Sequence, residues 1–250
     1  MLEGTTVTAS DAEYAIMAQG VHKFYGVTEA LAGLDLKVKG NTIFCLLGPN
    51  GAGKTTFLKT ILGLVHFQRG SISIFGKSTL ELESRAQVGY LPERFYFYPY
   101  YTVLDTITFF MALNGVQKKT HKEMAEKTLE LMGMNELAKR RLSTLSKGQL
   151  QRVGVASLLV GQKKLLLLDE PFSGLDPLGT KDFKDLIHKL KATEGKTIFI
   201  NSHGLSEMEK IADDFAIIDK GKCLAQNSMK SLLPGVTLED FFTGLVRGNN

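Results

Sequence analysis

The stretch "IFCLLGPNGAGKTTFLKTILGLV" limits what this chain can fold into more than any other. An apolar run, Ile43–Leu47, enters a glycine-rich turn, and the turn opens a segment of helical character. Gly48, Gly53, Lys54 and Thr55 satisfy G-x-x-x-x-G-K-[ST], with Asn50 and Gly51 inside the loop. Such glycines let backbone N–H groups turn inward around phosphate oxygens, and the following helix points its positive end at the same anion. Lys54 offers a point charge to the β- and γ-phosphates, the Thr55 hydroxyl can ligate Mg²⁺, and Thr56 can add a further phosphate contact. A glycine-rich turn that binds nothing would not need the flanking strand and helix. The chain is expected to bind a nucleoside triphosphate.

The rest of the sequence extends that unit into an α/β fold. From about Tyr14 to Leu47 the pattern is short and strand-like, with turn signals at Gly20, Gly26, Gly33 and Gly40, which predicts an antiparallel β layer leading into the core. Beyond it, strands alternate with helical stretches, the mark of a mostly parallel sheet. Ile43–Leu47, Leu165–Leu168 and Thr197–Ile200 are almost wholly apolar, as strands buried on both faces are. Between about Tyr96 and Arg141 strand character disappears, and Met124, Thr128, Leu131 and Met132 recur at helical spacing. This predicts a helical subdomain of about residues 94–155, inserted without a core of its own. "FAIIDKGKCLAQ" predicts a hairpin and "TLEDFFTGLV" a closing helix, within a C-terminal part of about 214–250. Residues 1–250 are expected to form a single domain.

Composition excludes several function classes. Apolar residues at 44% and charged residues at 22% are ordinary for a globular protein. The net charge of +4 is spread along the chain without a dense basic block, so no nucleic-acid partner is expected. No apolar run approaches the ~18–20 residues that span a bilayer. The start "MLEGTTVTASDAEYAIMAQ" lacks the basic-then-apolar order of an export signal. Cys45 and Cys223 lie far apart in apolar segments, as small core residues of a reducing compartment do. A cytoplasmic location is expected.

Catalytic chemistry is sought where apolar strands end. "KLLLLDEP" sets Asp169 and Glu170 after four leucines, at the edge where open α/β sheets form ligand crevices. Successive side chains of an extended strand point opposite ways, so the two carboxylates are expected to divide the work. Asp169 is placed to hold Mg²⁺ through its water shell, and Glu170 to orient or deprotonate an attacking water. His203 ends "TIFINSH" and should reach the same edge, near the γ-phosphate, whereas His22, His66, His121 and His188 are assigned no chemistry. In "LSTLSKGQLQRVGVASLLV", Ser146 and Gln149 form an S-x-x-Q capping box, which predicts a helix start there. That start, with Gly148 for close approach, reads either as a second anion site or as an ordinary well-capped helix. Two phosphate sites on one chain invite a head-to-tail pairing.

With these motifs in order, the sequence resembles the ATP-binding subunits of ATP-binding-cassette (ABC) transporters over nearly its whole length. "GPNGAGKTT" resembles the Walker A motif, "LSKGQ" the signature, "LLLLDE" Walker B, "SGLDP" the D-loop and "NSH" the switch histidine. The resemblance implies a P-loop core with an antiparallel β subdomain and a helical subdomain. It also implies two ATP, with Mg²⁺, sandwiched in a homodimer or paired subunit beneath an integral-membrane permease, so that the chain is peripheral on the inner face of the membrane. Tyr25 in "KFYG" would stack on adenine; Ser146 and Gly148 would meet the γ-phosphate held by the opposite subunit; Asp176 would communicate between sites. Glu170 would be the base, and His203 would align base, water and phosphate. Two positions depart from the pattern: Lys147 replaces a glycine of the signature, and Glu93 stands where the Q-loop has glutamine. A carboxylate can ligate Mg²⁺ but cannot donate as an amide does; a salt bridge from Glu93 to Arg94 or another base is the plainer alternative. These variants together with "TLEDFF" resemble the exporter-type branch. A soluble ABC ATPase acting on nucleic acid or the ribosome is the alternative function.

Just beyond Glu93 lies "RFYFYPYY". Its aromatics show no clean alternation with polar residues, and Pro99 interrupts regular structure. Three uses compete: core packing, a base-stacking platform, and a permease-docking surface, the last being where the family's helical subdomain receives a permease helix.

Overall fold

The computed structural model describes residues 13–248 apart from residue 162. The expectation about an export signal therefore falls largely outside the described residues. Two long strands open the chain, β1 (Tyr14–Tyr25) and β2 (Thr28–Lys39), paired antiparallel. Here Gly20 and Gly33 are not turns. Both have positive φ, 54° and 74°, but they lie inside the strands, and the ladder shifts register between Ala18 and Val21. An irregularity in a strand and a turn demand the same left-handed backbone, so glycine marks both. Strands β4 (Arg69–Ile74) and β5 (Lys77–Ser78) complete this sheet in the order β2-β1-β4-β5, so the antiparallel layer also draws on residues beyond the glycine-rich loop.

The second sheet is built on β3 (Ile43–Leu47). Its order is β10-β9-β3-β8-β7-β6, from β6 (Val88–Leu91), β7 (Leu165–Asp169), β8 (Thr197–Asn201), β9 (Asp214–Asp219) and β10 (Lys222–Ser228). All its pairs are parallel except β9 with β10. Every residue of β3, β7 and β8 is buried, which is why these strands carry no polar alternation. Alternate residues feed two cores. Phe44, Leu46, Leu165, Leu167 and Phe199 face the antiparallel layer and helix α1 (Lys54–Ile61), and Phe199 packs on Phe44 and Phe57. Ile43, Cys45, Leu47, Leu166 and Leu168 face the opposite side. There they meet α5 (Lys147–Leu159) and α6 (Pro177–Glu194), among others. Each such apolar side chain withdrawn from water is worth about 1.5–3 kcal/mol.

Short helices α2 (Leu82–Arg85) and α7 (Leu205–Glu209) lie between strands, and α8 (Leu238–Gly248) closes the described chain. Helices α3 (Val103–Leu113) and α4 (His121–Met132) share one apolar cluster with β3, β7 and β8 through Val103, Ile107, Leu129 and Met132. The aromatic loop between β6 and α3 sorts its residues by type. Phe95 and Phe97 pack half-buried on that cluster, while Tyr96, Tyr98 and Tyr100 stand out at 91%, 70% and 79% exposure. An alternation therefore exists, of phenylalanine with tyrosine, which a count of apolar against polar residues overlooks. No described helix is long and apolar enough to cross a membrane.

Candidate nucleotide site

The loop after β3 owes its shape to two glycines. Gly53 has φ 107°, and a Cβ there would lie 2.5 Å from the Ala30 carbonyl; at Gly48 a Cβ would lie 2.3 Å from the Ile218 carbonyl. Any larger residue would force the loop off its neighbours. Gly53 is also the N-cap of α1, and no side chain caps that helix, so its first-turn N–H groups are left for an anion. Lys54 is buried, and its Nζ donates to the carbonyls of Gly48, at 2.7 Å, and Pro49, at 3.1 Å. Burial depresses its pKa, while the carboxylates of Glu170 and Asp169 oppose the depression.

A cavity of about 320 Å³ joins these elements. It is lined by the loop from Asn50 to Thr56, by Ala30 of β2, and by Glu93, Asp169, Glu170 and Asn201. Asp169 ends β7 on the face that points to α1. Burial raises its carboxyl pKa, countered by a hydrogen bond from Asn201 Nδ2 to Asp169 Oδ1 at 2.5 Å. Tyr90 lies beside Asp169, and burial first, then that carboxylate, pushes its phenol up to about 12. Glu170 parts from Asp169 by a different route than strand alternation. The strand stops at Asp169, and Glu170 adopts the left-handed region at φ 48°. For a non-glycine residue that conformation costs about 1–3 kcal/mol, and it persists only where surroundings enforce it. Here the segment after β8 does so. Glu170 N donates to Asn201 O at 2.8 Å, Ser202 Oγ donates to Oε2 at 3.3 Å, and His203 Nδ1 lies 2.7 Å from Oε1. The His203 side chain is 70% exposed, the Glu170 side chain 14%.

Other expected residues lie apart. Tyr25 stands outside the cavity lining, half-exposed, with the Lys23 ammonium 4.9 Å from its ring centre. Ser146 caps α5: its Oγ accepts from Gln149 N and its N donates to Gln149 Oε1. None of Ser146, Lys147, Gly148 and Gln149 lines the cavity, and Ser146 faces solvent. Asp176 caps α6, its Oδ1 accepting from Gly179 N at 2.6 Å. Among the described residues Arg94 forms no ion pair with Glu93, which turns to the cavity instead. Asn201 and Ser202 were not singled out from sequence. The signal was the shared strand-end position, since β8 runs in register with β7 and sets Asn201 opposite Asp169.

The donors fit Mg²⁺ in kind: the Thr55 hydroxyl and the carboxylates of Glu93 and Asp169 are hard oxygen ligands around one cavity. Among the described residues no cluster of three His, Cys, Asp or Glu side chains forms a ready metal cage. The arrangement therefore suits a cation whose remaining ligands are triphosphate oxygens and water.

A parallel sheet carrying this loop, helix and strand-end acids defines a P-loop nucleotide-binding protein. Residues 31–173 match the ABC transporter family. An ABC transporter ATP-binding protein of Synechocystis sp. is 39% identical over 207 residues, covering 82% of this chain and 58% of that protein. The bacitracin transport ATP-binding protein BcrA of Bacillus licheniformis is 37% identical over 206 residues, covering 82% of this chain and 66% of that protein. This chain thus spans about three-fifths of those relatives' lengths. The solved structure of an ATP-binding subunit of an ABC transporter superposes with a TM-score of 0.81 at 26% identity, covering 93% of this chain and 99% of that one. The chain belongs to the ABC transporter family, as a nucleotide-binding subunit.

Proposed function

We propose that the chain hydrolyses ATP to power a separate integral-membrane permease, working as a pair of copies or with a similar subunit on the cytoplasmic face of the membrane. The observation that carries this reading is the split between cradle and capped helix. The cavity gathers Lys54, Thr55, Thr56, Glu93, Asp169 and Glu170, yet none of Ser146, Gly148 and Gln149 at the N-terminus of α5 lines it, and Ser146 is exposed. A second subunit would bring its own Ser146 and Gly148 to the γ-phosphate.

Position and the likeness to the family together support the roles that we assign. Backbone N–H groups from Asn50 to Thr56 and the Lys54 ammonium bind the phosphates; Tyr25, beyond the cavity rim, stacks on the base. Thr55, Asp169 and Glu93 would hold Mg²⁺, which would supply charge neutralisation at the phosphate oxygens. Glu170 takes the proton of the attacking water, and His203, hydrogen-bonded to Glu170, holds the base in line. Asp176 relays between the paired sites from the start of α6. Export is our reading of direction, supported by Glu93, "LSKGQ" and "TLEDFF" and by relatives named for bacitracin transport.

The test is Glu170→Gln, which keeps size while removing the base. Turnover should fall by about 10²-fold or more, and ATP affinity should stay within about twofold of wild type. Unchanged turnover would exclude Glu170 as the base.

A further inference from the structure

Asn201 ends β8 beside Asp169, and no motif gives it a task. Its Nδ2 donates to Asp169 Oδ1 at 2.5 Å. The amide thus lies with its nitrogen toward Asp169 and its carbonyl away. That carbonyl oxygen, Oδ1, is buried and has no hydrogen-bond partner among the described residues. The residue is 1% exposed and lines the nucleotide cavity. Buried acceptors are almost always paired, so an unpaired one at a cavity wall points to a ligand that brings a hydrogen.

The neighbours narrow that ligand. Glu93, Asp169 and Glu170 offer acceptors, and the Lys54 ammonium is engaged by Gly48 and Pro49. Triphosphate oxygens are acceptors as well and would repel the carbonyl. A water held by a divalent cation has strongly polarised hydrogens and suits it.

We propose that Asn201 is a positioning residue for the metal: its amide nitrogen fixes Asp169, and its carbonyl accepts from a water of the cation that accompanies the triphosphate. This rests on the ATP-binding reading above. It gives one side chain two tasks, so replacing Asn201 should damage metal-dependent binding and spare metal-free binding.

The measurement is calorimetric affinity of the whole chain for a non-hydrolysable ATP analogue, once in Mg²⁺ and once in EDTA. In wild type Mg²⁺ should tighten binding. Asn201→Ala should lose about tenfold of that enhancement, as loss of a partner behind a metal ligand typically does, with affinity in EDTA within about twofold. Asn201→Leu, which keeps the volume, should do the same and guards against a variant that fails to fold. A wild-type ratio in a folded variant would overturn the inference, as would equal loss with and without metal, which marks a purely structural role. If Mg²⁺ fails to tighten binding even in wild type, the functional reading falls together with it.

Discussion

Asp169 shows how a residue can serve a site at the expense of the fold. Burial lifts its carboxyl pKa above the ordinary range, so the native state holds that proton to higher pH than the unfolded chain does. The resulting stabilisation is fully present below the unfolded pKa and is lost as pH rises through the raised native value. Once ionised, the buried carboxylate therefore costs stability, which on the proposed function a bound cation would offset. Asp169→Asn, which does not titrate, should be more stable than wild type at pH 7 in metal-free, nucleotide-free urea denaturation. The difference should shrink as pH falls through that window; a variant less stable than wild type at pH 7 would contradict this. Lys54, Thr55, Asp169, Glu170 and His203 could be named as candidates from the sequence because each sits at a fixed offset from a glycine or a strand end. Asn201 could not, since its meaning lies in the lateral register of β8 against β7. Nor could the left-handed φ of Glu170, which the hydrogen bonds of Asn201, Ser202 and His203 enforce from the end of β8 and the residues just after it.

Among elements, the loop between β6 and α3 joins the cavity to the surface. Glu93 lines the cavity at its start. Farther along, Ser143 N donates to Pro99 O at 3.1 Å and Leu142 N to Tyr101 O at 2.9 Å. The loop is thus tied to the segment that leads into the Ser146 cap of α5. A shift at Glu93 would move the exposed tyrosines and the start of α5 together. Phe95 and Phe97 anchor the loop, their rings 5.3 Å apart and Phe97 edge-on to Phe110. The tyrosines present apolar bodies with polar tips, a mixture favoured at protein interfaces. Replacing Tyr98 and Tyr100 together by alanine should weaken co-purification with the proposed permease partner about tenfold or more, while nucleotide affinity stays within about twofold; unaltered association would count against docking there. The buried strands were readable because burial on both faces leaves an unbroken apolar run. The β layer was only half readable, because Gly20 and Gly33 carry the same backbone signal inside a strand as they would in a turn. Strand β4 rejoins β1 across the whole of α1, a pairing that local pattern does not encode.

For the molecule as a whole, two sheets grip α1 and hold the glycine-rich loop at the edge where β3, β7 and β8 end, while the capped N-terminus of α5 contributes nothing to the cavity lining. Our account takes this separation as the reason a second subunit is needed. Sedimentation velocity of Glu170→Gln, with saturating ATP and Mg²⁺ over a range of protein concentrations, tests it most directly, because the variant should bind nucleotide without consuming it. The account predicts a species of twice the chain mass that disappears in EDTA and when Ser146 is replaced by a bulky residue. A chain that stays monomeric at every concentration with nucleotide fully bound would contradict it.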